Sequence, residues 1–224
     1  MSSATLTRTA ASAAVEELGW RFLLGSLVVC VPVRSMLAGA ALAARVVDIC
    51  GDDADGHLRV DVRQDRVELA LRTHVAGGVT RRDIELASAI TSALGKPALA
   101  PPTDVDRPVQ ALEIAIDAMD IEAIRPFWRA VLAYADEGTG EYAELVDPAR
   151  QGPAVWFQQM DAPRPQRTRI HLDITVAHDE AERRVQAALA AGGVVVSDAH
   201  ARAFWVLADA EGNEICVCTW QDRE

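Results

Sequence analysis

Lysine is almost missing from this chain of 224 residues. Lys96 stands alone among 22 basic side chains, and 33 acidic ones bring the net charge to −11. With a pI near 4.9 and no basic run, the chain repels phosphate backbones and anionic headgroups, which excludes nucleic acid and membrane surfaces as partners. Long apolar runs are missing too. The longest, Phe22 to Val33, lies between Arg21 and Arg34 and is broken by Pro32, well short of the ~20 residues that cross a bilayer. Met1 to Trp20 carries Arg8, Glu16 and Glu17 among alanine, serine and threonine, without the apolar core of a secretion signal. Cys30, Cys50, Cys216 and Cys218 include no C-x-x-C pair, so reduced thiols in a cytoplasmic protein are expected.

What is present is core-forming material. Half of the residues are apolar and the mean hydropathy is +0.07, a composition that packs rather than staying disordered. Residues 97–108 hold four prolines and two aspartates and read as an interdomain linker. The linker divides residues 1–96 from residues 109–224, and each part is long enough for its own core.

In the first part, Gly25-Ser26 interrupts the apolar run and predicts two strands joined by a tight turn. Ser35 caps a helix whose expected buried stripe is Leu37, Ala41, Ala44, Val47 and Ile49, ended by Gly51-Asp52-Asp53. Alternation from Leu58 to Leu71 predicts strands turning at Gln64-Asp65, and Thr80 opens a second helix closed by Gly95 and Pro97. The result is an antiparallel sheet with helices on one face. In the second part, a strand at Leu112–Ile116, a helix from Asp120 to Leu132, and strands at 142–146 and 154–160 precede a similar series from residue 169 to Trp220. These are paired βαβββ modules, and the fold class is α+β with two domains.

The segment richest in chemistry is Thr73-His74-Val75-Ala76-Gly77-Gly78-Val79-Thr80-Arg81-Arg82-Asp83. His74 sits where a strand ends, Gly77-Gly78 admits positive φ, and Thr80 with Asp83 forms a capping box. An imidazole beside a glycine-lined turn and a helix N-terminus can border a small polar pocket for a flat heterocycle. The same spacing also fits a plain strand–turn–helix connection with a polar histidine at its edge.

The run Thr-His-x-x-Gly-Gly-x-Thr-x-x-Asp, followed by Leu86-Ala87-x-x-Ile90, resembles the C-terminal motif of the pterin-4a-carbinolamine dehydratase family. Trp20-Arg21, the alanine-rich helix and the element order agree with that family over residues 15–96. The family dehydrates a 4a-hydroxytetrahydropterin without a metal or other cofactor, using histidines around the pterin. The resemblance implies catalytic roles for His57, His74 and Asp83, and substrate-binding roles for Gly77, Gly78 and Thr80. Where the family has His-His-Pro, this chain has Gly56-His57-Leu58. Removal of water from the ring needs one proton delivered to the leaving hydroxyl and another taken from a ring nitrogen, and imidazoles serve both tasks near neutrality. Gly56 removes one candidate for that work, and Leu58 gives up a fixed φ.

Residues 109–220 resemble the glyoxalase-like branch of the vicinal oxygen chelate superfamily. The resemblance rests on Asp120 to Leu132, on Arg169-Ile170-His171-Leu172-Asp173, and on Asp209-Ala210-Glu211-Gly212-Asn213-Glu214-Ile215-Cys216-Val217. It implies a possible divalent metal held by Glu113, Gln158, His171 and Glu214, with strand register deciding whether Glu113 and Gln158 point inward. An apolar cup without metal is the other reading. The expectation for the whole chain is a pterin-like small-molecule ligand and a homo-oligomer. Three functions follow from the residues: a hydro-lyase weakened at Gly56, a ligand-binding or dimerisation protein without turnover, or a metal-dependent glyoxalase- or dioxygenase-type enzyme working through the second part.

Overall fold

A computed structural model describes residues 4–95, 109–138, 143–164 and 170–222. The chain divides into two compact units, Met1–Ala111 and Leu112–Glu224. The expected linker at 97–108 lies outside the described residues.

The first unit begins with a helix that the sequence pattern did not announce, α1 (Arg8–Val15), capped by the Thr7 hydroxyl. Strands β1 (Arg21–Leu23) and β2 (Ser26–Pro32) follow. Their turn falls on Leu24 and Gly25, both with positive φ, one residue earlier than expected. Helix α2 (Met36–Cys50) is capped by Ser35, as its sequence requires. A 3-10 turn at Gly51–Asp53 and a four-residue helix, α3 (Ala54–His57), then deliver His57 to the start of β3 (Leu58–Val62). Strand β4 (Arg66–Leu71) and helix α4 (Arg81–Leu94) complete the unit. The sheet order is β1-β2-β4-β3, antiparallel throughout. Leu27, Val29, Val31, Val67, Leu69 and Leu71 alternate onto one face and share a core with Val46, Leu86 and Ile90 of the helices. The indole of fully buried Trp20 donates to Thr91 Oγ1 at 3.1 Å.

The stripe expected on α2 is out of phase. Gly39, Val46 and Cys50 are buried, whereas Leu37 is 81% exposed. Apolar and small residues surround this helix on every side, so periodicity alone cannot pick its inner face.

The second unit consists of β5 (Glu113–Ala118), α5 (Ile121–Leu132), β6 (Ala135–Glu137), β7 (Glu144–Val146) and β8 (Ala154–Gln159), then β9 (Asp173–Thr175), α6 (Ala181–Ala190), β10 (Val194–Ser197), β11 (Phe204–Ala208) and β12 (Glu214–Cys218). The sheet orders β5-β8-β7-β6 and β9-β12-β11-β10 are the same arrangement twice, as the expected duplication requires. In both sheets the first strand runs parallel to the last. Helices α5 and α6 pack on each other, and their buried residues join Ile116, Val155, Leu207, Ile215 and Val217 in one core. Gly193 is required by that packing, because a Cβ there would lie 2.3 Å from the ring of buried Phe127.

Candidate active site

Three elements of the first unit converge on one carboxylate. Asp83 is fully buried in the first turn of α4. Its Oδ1 accepts from His57 Nδ1 at 2.8 Å. Its Oδ2 takes the Thr80 amide at 2.6 Å and the Thr73 hydroxyl at 2.7 Å, with the Thr80 hydroxyl at 3.1 Å. The capping box inferred from sequence is thus also the floor of the site. A buried carboxylate is costly unless its oxygens are satisfied, and here both are.

His57 closes α3, where Leu58 N–H donates to Ala54 O and Arg72 N–H donates to His57 O at 2.9 Å. The backbone at Leu58 is therefore held by hydrogen bonds on either side rather than by a proline ring. The imidazole side chain is 13% exposed. Its Nδ1 also lies 3.1 Å from Thr73 Oγ1, while Nε2 is engaged by no group among the described residues. Asp83 engages one of the two candidate histidines. The structure places its Oδ1 on His57, which makes His57 the oriented imidazole.

His74 lies on the surface in a 3-10 turn, His74–Ala76, that follows the buried Thr73. This turn touches α3, so the two histidines stand on neighbouring elements. Gly77 closes the turn at φ +66, its carbonyl accepting from Arg72 Nη2 at 2.7 Å. Gly78 has ordinary φ and sits tightly instead: a Cβ there would lie 3.0 Å from Thr5 Cγ2. Gly78 and Thr80 are both buried. Thr80, expected to touch substrate, is fully buried and spends its hydroxyl inside the Asp83 network, so it supports the site from below. At Gly56, an added Cβ meets nothing within 4 Å. The Cβ position of the family's first histidine is therefore open in this chain.

Residues 4–93 match the family described as Pterin 4 alpha carbinolamine dehydratase. A protein of Mycolicibacterium smegmatis called "Putative pterin-4-alpha-carbinolamine dehydratase" is 34% identical over 92 residues, which are 41% of this chain and 97% of that protein. The chain belongs to the pterin-4a-carbinolamine dehydratase family. A protein of the same name from Thermomicrobium roseum is 37% identical over 79 residues, covering 35% of this chain and 84% of the relative. The dehydratase-like unit is followed by a second assignment: residues 113–218 match the family described as Glyoxalase-like domain. A solved glyoxalase/bleomycin resistance protein/dioxygenase family enzyme from Burkholderia phytofirmans overlays 48% of this chain and 95% of its own, at 18% identity and a TM-score of 0.40.

The metal candidates of the glyoxalase-like unit do not assemble. In the parallel ladder of β5 and β8, Gln158 stands opposite Asp117, while Glu113 stands opposite Ala154. Glu113 and Gln158 share a face but lie about 13 Å apart along the strands, at ~3.3 Å per residue. His171 is exposed ahead of β9, and Glu214 is half-buried at the start of β12. Among the described residues, no three His, Cys, Asp or Glu side chains are grouped to hold an ion. As placed among the described residues, this donor set does not fit a divalent metal. The cup is also less apolar than expected. The strand faces turned away from the core carry Asp117, Gln158, Asp173 and Glu214.

Asp209 escaped the sequence reading as a functional group and proves to be structural. It is 2% exposed and accepts from the Trp128 indole, from the Asn213 amide side chain, and from the backbone of Glu211 and Asn213, each at 2.9 Å. Glu211 in turn accepts the Met119 and Asp120 amides at 2.8 and 2.6 Å, just ahead of α5 in the other module. Through Asp209 and Glu211 the Asp209-to-Val217 string ties the two modules together.

Proposed function

We propose that the first unit binds a reduced pterin-type fused ring beside His57 and catalyses slow removal of water from its 4a carbon. The carrying observation is the His57 imidazole oriented by a buried, fully satisfied Asp83. His57 and His74 divide the two proton transfers: one delivers a proton to the leaving hydroxyl, and the other takes one from a ring nitrogen. The open space at Gly56 leaves turnover slower than a second imidazole there would allow, since one general acid–base group contributes roughly 10²–10⁴-fold.

The same open space supports a second reading, in which the ligand is held without turnover. An assay of 4a-hydroxytetrahydropterin dehydration with the full chain separates the two. The dehydratase reading expects turnover above the uncatalysed rate, lost in His57→Ala and His74→Ala and raised in Gly56→His. Binding of the pterin with no rate in any variant would leave the binding reading. Copies of the chain are inferred to associate through α2, whose outer side exposes Met36, Leu37 and Val47; light scattering of Leu37→Glu tests that. The glyoxalase-like unit is assigned a polar small molecule, held by the acid-bearing strand faces without an ion.

A further inference from the structure

A neutral imidazole carries one proton, and the nitrogen that holds it decides where the ring can accept another. At His57 that choice follows from counting hydrogens around Thr73. Asp83, as a carboxylate, has none to give. In the capping box the Asp83 amide donates to Thr80 Oγ1 and the Thr80 amide donates to Asp83 Oδ2. The Thr73 and Thr80 hydroxyls are 2.7 Å apart, so one donates to the other. Thr73 also reaches Asp83 Oδ2 at 2.7 Å. One assignment fills both 2.7 Å contacts: Thr80 O–H donates to Thr73, and Thr73 O–H donates to Asp83, leaving only the longer 3.1 Å approach of Thr80 Oγ1 to Oδ2 without a hydrogen. Thr73 Oγ1 then has a single lone pair left, and it faces His57 Nδ1 at 3.1 Å. Asp83 Oδ1 faces the same nitrogen at 2.8 Å. With two acceptors before it, Nδ1 must carry the hydrogen.

We propose that Thr73 is a positioning residue that locks His57 in its Nδ1–H tautomer, so that Nε2 is the atom that exchanges protons with the ligand. The consequence for turnover rests on the dehydratase reading above; the tautomer does not. Moving the proton to Nε2 would need a donor opposite Nδ1. Only a reversed Thr73 hydroxyl or a protonated Asp83 could supply one, and the Thr73–Asp83 bond opposes both. Without that hydroxyl, Oδ2 loses its donor from the segment that follows β4, and the carboxylate is freer to rotate or take a proton.

The test is long-range ¹H–¹⁵N spectroscopy of the full chain labelled at histidine, with the His57 signals assigned by their loss in His57→Gln. The parent is expected to show neutral His57 wholly as Nδ1–H. Thr73→Val is expected to show a measurable Nε2–H fraction, with turnover down by about tenfold or more, as for other supporting-shell losses. Thr73→Ser is expected to restore both. A parent that is Nε2–H, or a folded Thr73→Val that keeps pure Nδ1–H, overturns the proposal. A changed tautomer with unchanged turnover supports the lock and sinks the dehydratase reading instead. Should Thr73→Val fail to fold by calorimetry, Thr73→Cys, with its weaker donor, supplies the same comparison.

Discussion

Asp83 and His57, 26 residues apart in sequence, meet through Oδ1 and Nδ1 at 2.8 Å, and the first turn of α4 makes the meeting possible. The carboxylate serves fold and site at once, so replacing it should damage both. In Asp83→Asn the new amide N–H₂ faces a donor whichever way it turns: His57 on one side, or Thr73 and Thr80 on the other. A buried polar mismatch of this kind costs about 2–4 kcal/mol. Urea unfolding, with hydrogen exchange in α4 to localise the loss to the first unit, checks it. A loss under about 0.5 kcal/mol would mean that the network carries little stability.

The glyoxalase-like unit also leans on one buried carboxylate. Asp209→Ala strips the acceptor from the buried Trp128 indole and from two backbone amides. Each abandoned buried donor costs about 1–3 kcal/mol, so the second unit should lose about 3 kcal/mol or more. Trp128→Phe, which removes one donor and keeps most of the ring, should cost clearly less. Equal losses in the two variants would contradict the account of Asp209 as the shared acceptor.

Much of this architecture was legible in the sequence where short-range rules decide it. The Ser35 cap, the Thr80–Asp83 box and the strand alternation in β2 and β4 are local, and each stands where the residues imply. What sequence could not give depends on distance. Which imidazole Asp83 would hold was fixed by the path of α3, a single helical turn with no periodic signal. Gln158 shares a face with Glu113 yet pairs with Asp117, since ladder offset is a property of two strands together. Trp220, a large apolar side chain that composition alone would bury, is 64% exposed against His178, because it falls two residues beyond the end of β12.

Acid should weaken the second unit first through Asp136 and Asp147. Hydrogen bonds from Arg125 and Arg129 hold the Asp136 carboxyl below its ordinary value. Burial pushes Asp147 up, but the amides of Gly152, Ala149 and Gln151 outweigh it and the net shift is downward. A carboxyl lowered in the folded state contributes stability above its unfolded value, near 3.8, and loses it as pH falls through the folded value. Asp136 is 46% exposed, so its share is held to under about 1 kcal/mol. The melting temperature should be flat from pH 7 to 5 and fall below about pH 4. Asp136→Asn should melt slightly lower at neutral pH and show a shallower acid slope. An unchanged slope would remove Asp136 from the account.

Cys216 stands opposite Asp173 in the β9–β12 ladder. Burial first, and a hydrogen bond to Asp173 second, push its thiol up to about 12 from the ordinary 9.0. Only the thiolate attacks alkylating reagents, so at pH 8 its reactive fraction should lie on the order of a hundred- to a thousandfold below that of an ordinary cysteine. Iodoacetamide labelling of the native chain, read by mass spectrometry, should therefore leave Cys216 among the slowest sites. Asp173→Asn removes the negative charge and keeps the burial, and should speed labelling by about three- to tenfold without reaching the rate of a free thiol. Alkylation of the parent as fast as a model thiol would show that Cys216 is neither buried nor faced by the Asp173 carboxylate. No acceleration in Asp173→Asn would assign the whole effect to burial.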